Sequence, residues 1–151
     1  MLNKAVSDFS LPATGAKEFR LSGQLGRSLV IYFYPKDSTP GCTTEAGQFR
    51  DLHAAFKKVG CDIFGVSRDS LMSHENFKAK LELPFELLVD AEEIACSVFG
   101  VIKLKNMYGK QVRGIERSTF LIDAKGVLRR EWRAVKADGH AAEVLAAAQT
   151  L

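Results

Sequence analysis

The stretch LVIYFYPKDSTPGCTTEAGQFRDL, residues 29–52, decides the fold of this chain. It opens with an apolar run rich in β-branched and aromatic residues, which is typical of a strand buried on both faces. Pro35 ends that strand, because proline cannot donate a ladder hydrogen bond. A turn-forming segment follows, and apolar residues at helical spacing (Phe49, Leu52, Phe56) then predict a helix over residues 43–58.

Cys42 is placed by this pattern at the point where the loop becomes a helix. The first backbone N–H groups of a helix have no intrahelical partner, and the helix dipole is positive at that end. Both effects stabilise a thiolate, which is the nucleophilic form of cysteine. The sequence therefore predicts a reactive thiol at the end of a central strand.

The remaining pattern predicts alternating strands and helices. A hairpin is expected over residues 9–21, a helical turn over 22–26, strands over 61–67 and 85–89, helices over 69–81 and 91–99, a loop or irregular hairpin over 101–114, a strand pair at 117–123 and 127–134, and an Ala-rich helix over 139–151. Strands 29–34 and 61–67, joined by a helix, form a parallel βαβ unit. This order predicts one domain, residues 1–151, with an α/β fold: a thioredoxin-like three-layer sandwich with a mixed central sheet and an N-terminal hairpin.

Composition narrows the classes of function. The 151 residues carry a formal charge of +3, and the Lys and Arg residues are scattered, so no basic stripe for nucleic acid is visible. No apolar run approaches the roughly 20 residues that span a membrane. The first residues, MLNKAVSDFSLP, lack the apolar core of a signal peptide. We expect a cytoplasmic protein without a nucleic-acid or membrane partner.

The cysteines and histidines do not form a ligand pattern. Three cysteines (Cys42, Cys61, Cys96) stand at wide, irregular spacing without a CxxC pair, which argues against a disulfide framework and a zinc ribbon. The three histidines (His53, His74, His140) are isolated, and each is interpreted as a surface helix residue. The sequence predicts neither a metal nor another cofactor.

Several motifs carry a family resemblance. Residues 35–42, PKDSTPGC, match the P-x-x-x-T-x-x-C signature of peroxiredoxins. The wider string YFYPKDSTPGCTTEAGQFRD is similar to the Q-type subfamily, the bacterioferritin comigratory proteins. Further matches are GVSRDS from Gly65, NMYGK from Asn106 and GIERSTFLID from Gly114. The resemblance thus extends over nearly the whole chain.

The resemblance implies a thioredoxin fold and thiol-dependent reduction of hydrogen peroxide and organic hydroperoxides. By motif, Cys42 is the peroxidatic cysteine, Thr39 holds the thiolate and the peroxide through its hydroxyl, Pro35 shields the sulfur, and Arg117 supplies a fixed positive charge. Each role suits the chemistry, because N–H groups and a guanidinium stabilise both the thiolate and the departing oxygen.

Each of these residues also has a purely structural interpretation. Thr39 can cap the helix, Pro35 can stop the strand, and Arg117 alone is an ordinary solvated residue at a strand start. Glu45 is interpreted as a capping-box contact with the loop rather than as a catalytic group.

A second, resolving cysteine is missing from its usual places. Many Q-type proteins carry it five residues after the first, where this chain has Gly47, and others on the third helix, near Lys78 or Ala79. We therefore predict a one-cysteine mechanism in a monomer, with glutathione and glutaredoxin, or thioredoxin, as the outside reductant. Core packing is the favoured role of Cys61 and Cys96, and resolution by either is the alternative.

Rival functions share the same thiol. A disulfide oxidoreductase is disfavoured because Glu45 occupies the position of its second cysteine. A redox sensor remains an alternative because its first step is the same oxidation, and a binding or structural module is the third interpretation.

Overall fold

A computed structural model describes residues 1–151 as a mixed seven-stranded sheet with helices and a separate two-stranded sheet. In chain order the elements are β1 Ser10–Ala13, β2 Lys17–Arg20, a 3-10 turn Leu21–Gln24, β3 Ser28–Phe33, α1 Pro40–Asp51, α2 His53–Lys58, β4 Cys61–Ser67, α3 Leu71–Leu81, β5 Leu87–Val89, α4 Ile94–Phe99, β6 Ile102–Met107, β7 Lys110–Ile115, β8 Ser118–Ile122, β9 Leu128–Trp132 and α5 His140–Ala148. None of the helices has the length and apolar character needed to cross a membrane.

The large sheet has the strand order β2-β1-β5-β4-β3-β8-β9. β3 lies near its middle, parallel to β4 and antiparallel to β8, and Phe33 pairs with both Val66 and Ser118. β5 continues the parallel part, and the β1–β2 hairpin joins it in antiparallel sense. The predicted mixed thioredoxin-like sheet with an N-terminal hairpin is therefore confirmed.

Two apolar cores cover the two faces of β3. Leu29, Ile31 and Phe33 belong to one core, and Val30, Tyr32 and Tyr34 to the other, as the period of two in a strand requires. All six side chains are buried. The prediction of a strand buried on both faces is correct.

The structure differs from the helix predicted over residues 43–58 in two respects. The observed helix begins earlier, at Pro40, because the missing N–H of proline costs nothing at the first helical position. It is also divided, since Leu52, with φ −100° and ψ 3°, separates α1 from α2. The change places Cys42 inside the first turn of α1.

The segment predicted as a loop or irregular hairpin is a regular hairpin. β6 and β7 pair antiparallel from Ile102 and Ile115 to Met107 and Lys110. The two turn residues, Tyr108 and Gly109, both have positive φ, which matches the twist that a two-residue hairpin needs.

The prediction that the histidines lie on the surface is wrong for two of the three. His74 is fully buried and His140 is 4% exposed. His140 Nε2 lies 2.8 Å from Thr119 Oγ1, and His74 Nε2 lies 2.8 Å from the carbonyl of Leu88. Because these partners come from distant strands, local sequence could not show that a buried histidine would be satisfied there.

Candidate active site

The loop after β3 delivers Cys42 to the start of α1. Tyr34 still bonds to β4 through its N–H and the carbonyl of Val66, and Thr39 is the extended N-cap residue of the helix. The N–H of Thr43 bonds to the carbonyl of Thr39 at 2.9 Å and closes the first turn. Cys42 is the third helical residue, so its own N–H is one of those left without an intrahelical partner. The predicted position of the thiol at a strand-to-helix junction is confirmed.

Arg117 lies beside the sulfur, one residue before β8. Its Nη2 donates to Cys42 Sγ at 3.4 Å, and its Nη1 donates to Glu45 Oε1 at 2.7 Å. The side chain of Arg117 is 15% exposed, and Cys42 is 1% exposed. The guanidinium is permanently charged, so a fixed positive charge stands against a nearly dry sulfur atom.

Glu45 is the buried partner of this guanidinium. It is fully buried, and its Oε2 has no hydrogen-bond partner. Burial raises the pKa of Glu45 to about 7, although Arg117 acts in the opposite direction. The interpretation of Glu45 as a capping-box residue is wrong, because the carboxylate contacts Arg117, 72 residues away, rather than the loop.

Gly41 leaves the space that the guanidinium occupies. A Cβ atom at this position would lie 3.1 Å from Arg117 Nη2 and 4.0 Å from the Cβ of Ala137. Sequence analysis missed this residue, although it stands next to Cys42 in the motif. Its backbone φ is not in the left-handed region, so close approach rather than backbone conformation accounts for the glycine.

Thr39 and Pro35 lie on the same loop, but neither is hydrogen-bonded to Arg117 or to the sulfur of Cys42. The hydroxyl of half-buried Thr39 donates to the carbonyl of Lys36 at 2.8 Å, which leaves its lone pairs free to accept. Pro35 is exposed at the end of the strand. The structure therefore brings Cys42 and Arg117 together directly, and it places Thr39 one helical turn before the thiol.

Comparison with known proteins decides the family. The sequence profile of the AhpC/TSA family matches residues 2–131. The chain is 54% identical over 146 residues to peroxiredoxin Bcp of Xanthomonas campestris pv. campestris, covering 97% of this chain and 91% of that protein. The chain belongs to the AhpC/TSA family of peroxiredoxins. As a relative of the Bcp group it is a thiol peroxidase, and so an oxidoreductase.

Other relatives match this chain over a similar length. Peroxiredoxin Bcp of Bacillus subtilis is 49% identical over 144 residues, covering 95% of this chain and 92% of that protein. The solved structure of the X. campestris bacterioferritin comigratory protein, described with an alkyl peroxide reduction activity, superposes with a TM-score of 0.91 at 53% identity, covering 94% of this chain and 90% of that one. A cysteine mutant of Xylella fastidiosa PrxQ superposes with a TM-score of 0.92 at 40% identity, covering 99% and 98%.

Cys96 of this peroxiredoxin lies across the sheet from Cys42. Cys96, on α4, belongs to the core on one face of β3, whereas Cys42 belongs to the core on the other face. Cys96 is fully buried, and burial together with the nearby Asp90 carboxylate raises the pKa of its thiol. Its position is therefore that of a residue that packs in the core.

Cys61 lies on the same side as Cys42 but at the other end of the strands. It begins β4 and pairs with Ser28, whereas Arg117 and Cys42 lie beyond the Phe33 end of β3. Five residues of strand span about 17 Å, far beyond the roughly 4–7 Å between Cα atoms in a disulfide. Burial also raises the pKa of the Cys61 thiol to about 12.

Proposed function

We propose that this peroxiredoxin reduces hydrogen peroxide and organic hydroperoxides through Cys42, by a one-cysteine mechanism that an outside thiol completes. The observation that carries the proposal is the 3.4 Å contact between Arg117 Nη2 and Cys42 Sγ in a nearly water-free setting at the start of a helix. The alkyl peroxide activity described for the X. campestris relative supports the same substrate class. Residues 1–151 act as one domain in this proposal.

The oxidation step follows from that contact. The Cys42 thiolate attacks one peroxide oxygen in line with the O–O bond, which breaks as the new S–O bond forms. The sulfur loses two electrons and becomes a sulfenic acid, and the departing oxygen takes up a proton to leave as water or an alcohol. The guanidinium of Arg117 and the free N–H groups of α1 stabilise the charge on both oxygen and sulfur.

Thr39 and Pro35 have supporting roles in this proposal. Because the Thr39 hydroxyl donates to the carbonyl of Lys36, its lone pairs are available to accept a hydrogen bond from the O–H of an incoming hydroperoxide. Rotation of the hydroxyl would let it donate to the thiolate instead. Pro35 covers the approach to the loop and limits access by larger oxidants.

Resolution falls to an outside thiol because neither internal cysteine is suitably placed. The thiol condenses with the sulfenic acid, releasing water and forming a mixed disulfide, and a second thiol then restores Cys42 and leaves as a disulfide. Glutathione with glutaredoxin, or thioredoxin, supplies these electrons. Positions 47 and 78 hold Gly47 and Lys78, and Lys78 is paired with Glu86.

The experiment must also distinguish two alternative functions. A two-cysteine peroxidase using Cys61 or Cys96 would form an internal disulfide, and a redox sensor would oxidise without turning over. The monomeric state and the cytoplasmic location stay predictions from the sequence.

Intact-mass analysis and turnover decide among these functions. After one equivalent of hydrogen peroxide, we expect the wild-type protein to gain one oxygen, and added glutathione to convert that species to a mixed disulfide. An internal disulfide in high yield, seen as a loss of two hydrogens, would overturn the one-cysteine mechanism. Steady-state peroxide consumption with glutathione–glutaredoxin and with thioredoxin separates enzyme from sensor, and the Cys42→Ser variant is the inactive control.

A further inference from the structure

A buried aspartate holds the loop that precedes Cys42. Asp37 is 5% exposed, and its Oδ1 accepts from the hydroxyl of Tyr34 at 2.6 Å. Its Oδ2 accepts from Ser73 Oγ at 2.8 Å, and its backbone N–H donates to Asp69 Oδ2 at 2.9 Å. These contacts tie the loop to Tyr34 directly after β3, to α3 and to the segment after β4.

His74 completes the anchor from α3. Its Nε2 lies 2.8 Å from the carbonyl of Leu88, which can only accept, so that nitrogen bears a hydrogen. Its Nδ1 lies 2.7 Å from Asp37 Oδ2. Burial alone would raise the pKa of Asp37, but the hydrogen bonds from His74, Tyr34 and Ser73 outweigh it and hold that pKa below its ordinary value. Asp37 is therefore a carboxylate whose Oδ2 accepts from Ser73 and faces His74 Nδ1.

The pair is placed where it controls the sulfur. Asp37 lies two residues before the N-cap Thr39, and Ser38 between them adopts φ +64°, a left-handed conformation that is strained for a non-glycine residue. Without its anchor the loop would relax from this conformation. The loop fixes where α1 begins, and thereby the 3.4 Å contact between Cys42 and Arg117.

The position of Asp37 also affects the second half-reaction, the reduction of oxidised Cys42 by a thiol. Cys42 is 1% exposed, so a thiol much larger than a peroxide reaches its sulfur only when the loop and the first turn of α1 move outward. That movement must release Asp37, because the loop is bound to α3 through the Asp37 carboxylate.

We propose that the buried, hydrogen-bonded Asp37–His74 pair is a positioning device that holds Cys42 in its peroxide-reactive geometry and opposes access by the reducing thiol. The inference rests on the proposed function. It predicts opposite changes in the two half-reactions when the pair is weakened: slower oxidation by peroxide and faster reduction by thiol.

The test compares Asp37→Asn and His74→Gln with a matched control, Asp90→Asn. Asp90 is also a fully buried aspartate, but its side chain bonds to the N–H groups of Ile94 and Cys96 on α4 and not to the loop. Ser73→Ala, which removes one bond to Asp37, is the mild variant should Asp37→Asn fail to fold. Rapid-quench intact mass gives the rate of Cys42 oxidation by hydrogen peroxide and, separately, the rate at which glutathione consumes the sulfenic acid.

We expect oxidation to slow by about tenfold or more in Asp37→Asn and His74→Gln, since misplacing reacting groups by about 1 Å can cost up to about 10²-fold. Reduction by glutathione should quicken several-fold in the same variants, and Asp90→Asn should change neither rate. The proposal is wrong if both half-reactions slow together, if neither changes, or if Asp90→Asn shows the same pattern. Failure of wild-type Cys42 to react with peroxide would instead overturn the proposed function.

Discussion

Arg117 and Glu45, 72 residues apart in the chain, form an ion pair at 2.7 Å in which the carboxylate is fully buried. The pair orients the guanidinium, so that its second nitrogen faces the sulfur of Cys42. A buried ion pair is seldom a large net gain in stability, because both charges lose their hydration. Its contribution here is to hold the guanidinium against the sulfur.

Replacing Arg117 should abolish fast oxidation while leaving the thiol in place. Arg117→Met is expected to lower the rate of Cys42 oxidation by hydrogen peroxide by about 10²–10³-fold, as loss of an oxyanion donor does in other enzymes. Arg117→Lys keeps a charge but not the planar fork, so it cannot serve Glu45 and Cys42 together and should recover only part of the rate. Stopped-flow oxidation kinetics measure both, and equal rates in wild type and Arg117→Met would contradict the assignment.

The raised pKa of Glu45 predicts a pH-dependent cost to folding. Since the folded-state pKa of about 7 lies above the ordinary value of 4.5, the folded protein binds this proton more tightly than the unfolded chain. The contribution of Glu45 to stability should therefore fall as the pH rises from about 4.5 to about 7. Urea unfolding of wild type and Glu45→Gln across this range isolates the effect. As the pH rises, the unfolding free energy of Glu45→Gln should increase relative to that of the wild type. Parallel pH dependences of the two proteins would refute the prediction.

Gly41→Ala should move the guanidinium. The added methyl group would lie 3.1 Å from Arg117 Nη2, closer than ordinary contacts allow, so Arg117 must shift away from the sulfur. We expect oxidation by peroxide to slow by about tenfold. Gly47→Ala, on the same helix, is the control, because its methyl group would meet Arg50 at an ordinary 3.5 Å. That variant should keep the wild-type rate and gain up to about 1 kcal/mol of stability. Similar losses of rate in both variants would count against the steric explanation.

Cys61 and Cys96 should be dispensable for turnover. Cys61→Ala and Cys96→Ala are expected to retain peroxidase activity with an outside thiol within about twofold of wild type. Each should lose about 1 kcal/mol or more of stability, because a buried side chain is shortened. Coupled peroxide consumption and thermal melting measure the two effects. A collapse of turnover in one folded variant would identify that cysteine as the resolving thiol.

Gly65→Ala tests the packing of the central sheet. A methyl group at this position on β4 would lie 2.8 Å from both Leu87 Cδ2 and the ring of Tyr32. Because both neighbours are fully buried, the overpacking should cost about 1–3 kcal/mol. Denaturant unfolding gives the loss directly, and a stability equal to wild type would show that the core yields more easily than its packing suggests.

The order of strands and helices could be predicted because its signals are local. The apolar run before Pro35 and the turn residues after it describe a buried strand and a helix start within a short stretch of chain. The errors arose where a local pattern has more than one tertiary outcome. His74 has the polar neighbours of a surface residue, yet Asp37 and the Leu88 carbonyl meet it in the interior. Glu45 fits a capping position, yet a distant arginine binds it.

The sequence by itself determined that a cysteine stands at the junction of a buried strand and a helix, because strand periodicity, proline and glycine act on the chain locally. Only the tertiary structure decided what surrounds that cysteine. The close approach of Arg117 to Cys42, the burial of Glu45 and the space left by Gly41 all depend on β8 pairing with β3. Such contacts join residues far apart in the chain, and their free energies arise from packing and desolvation, which no single stretch of sequence contains.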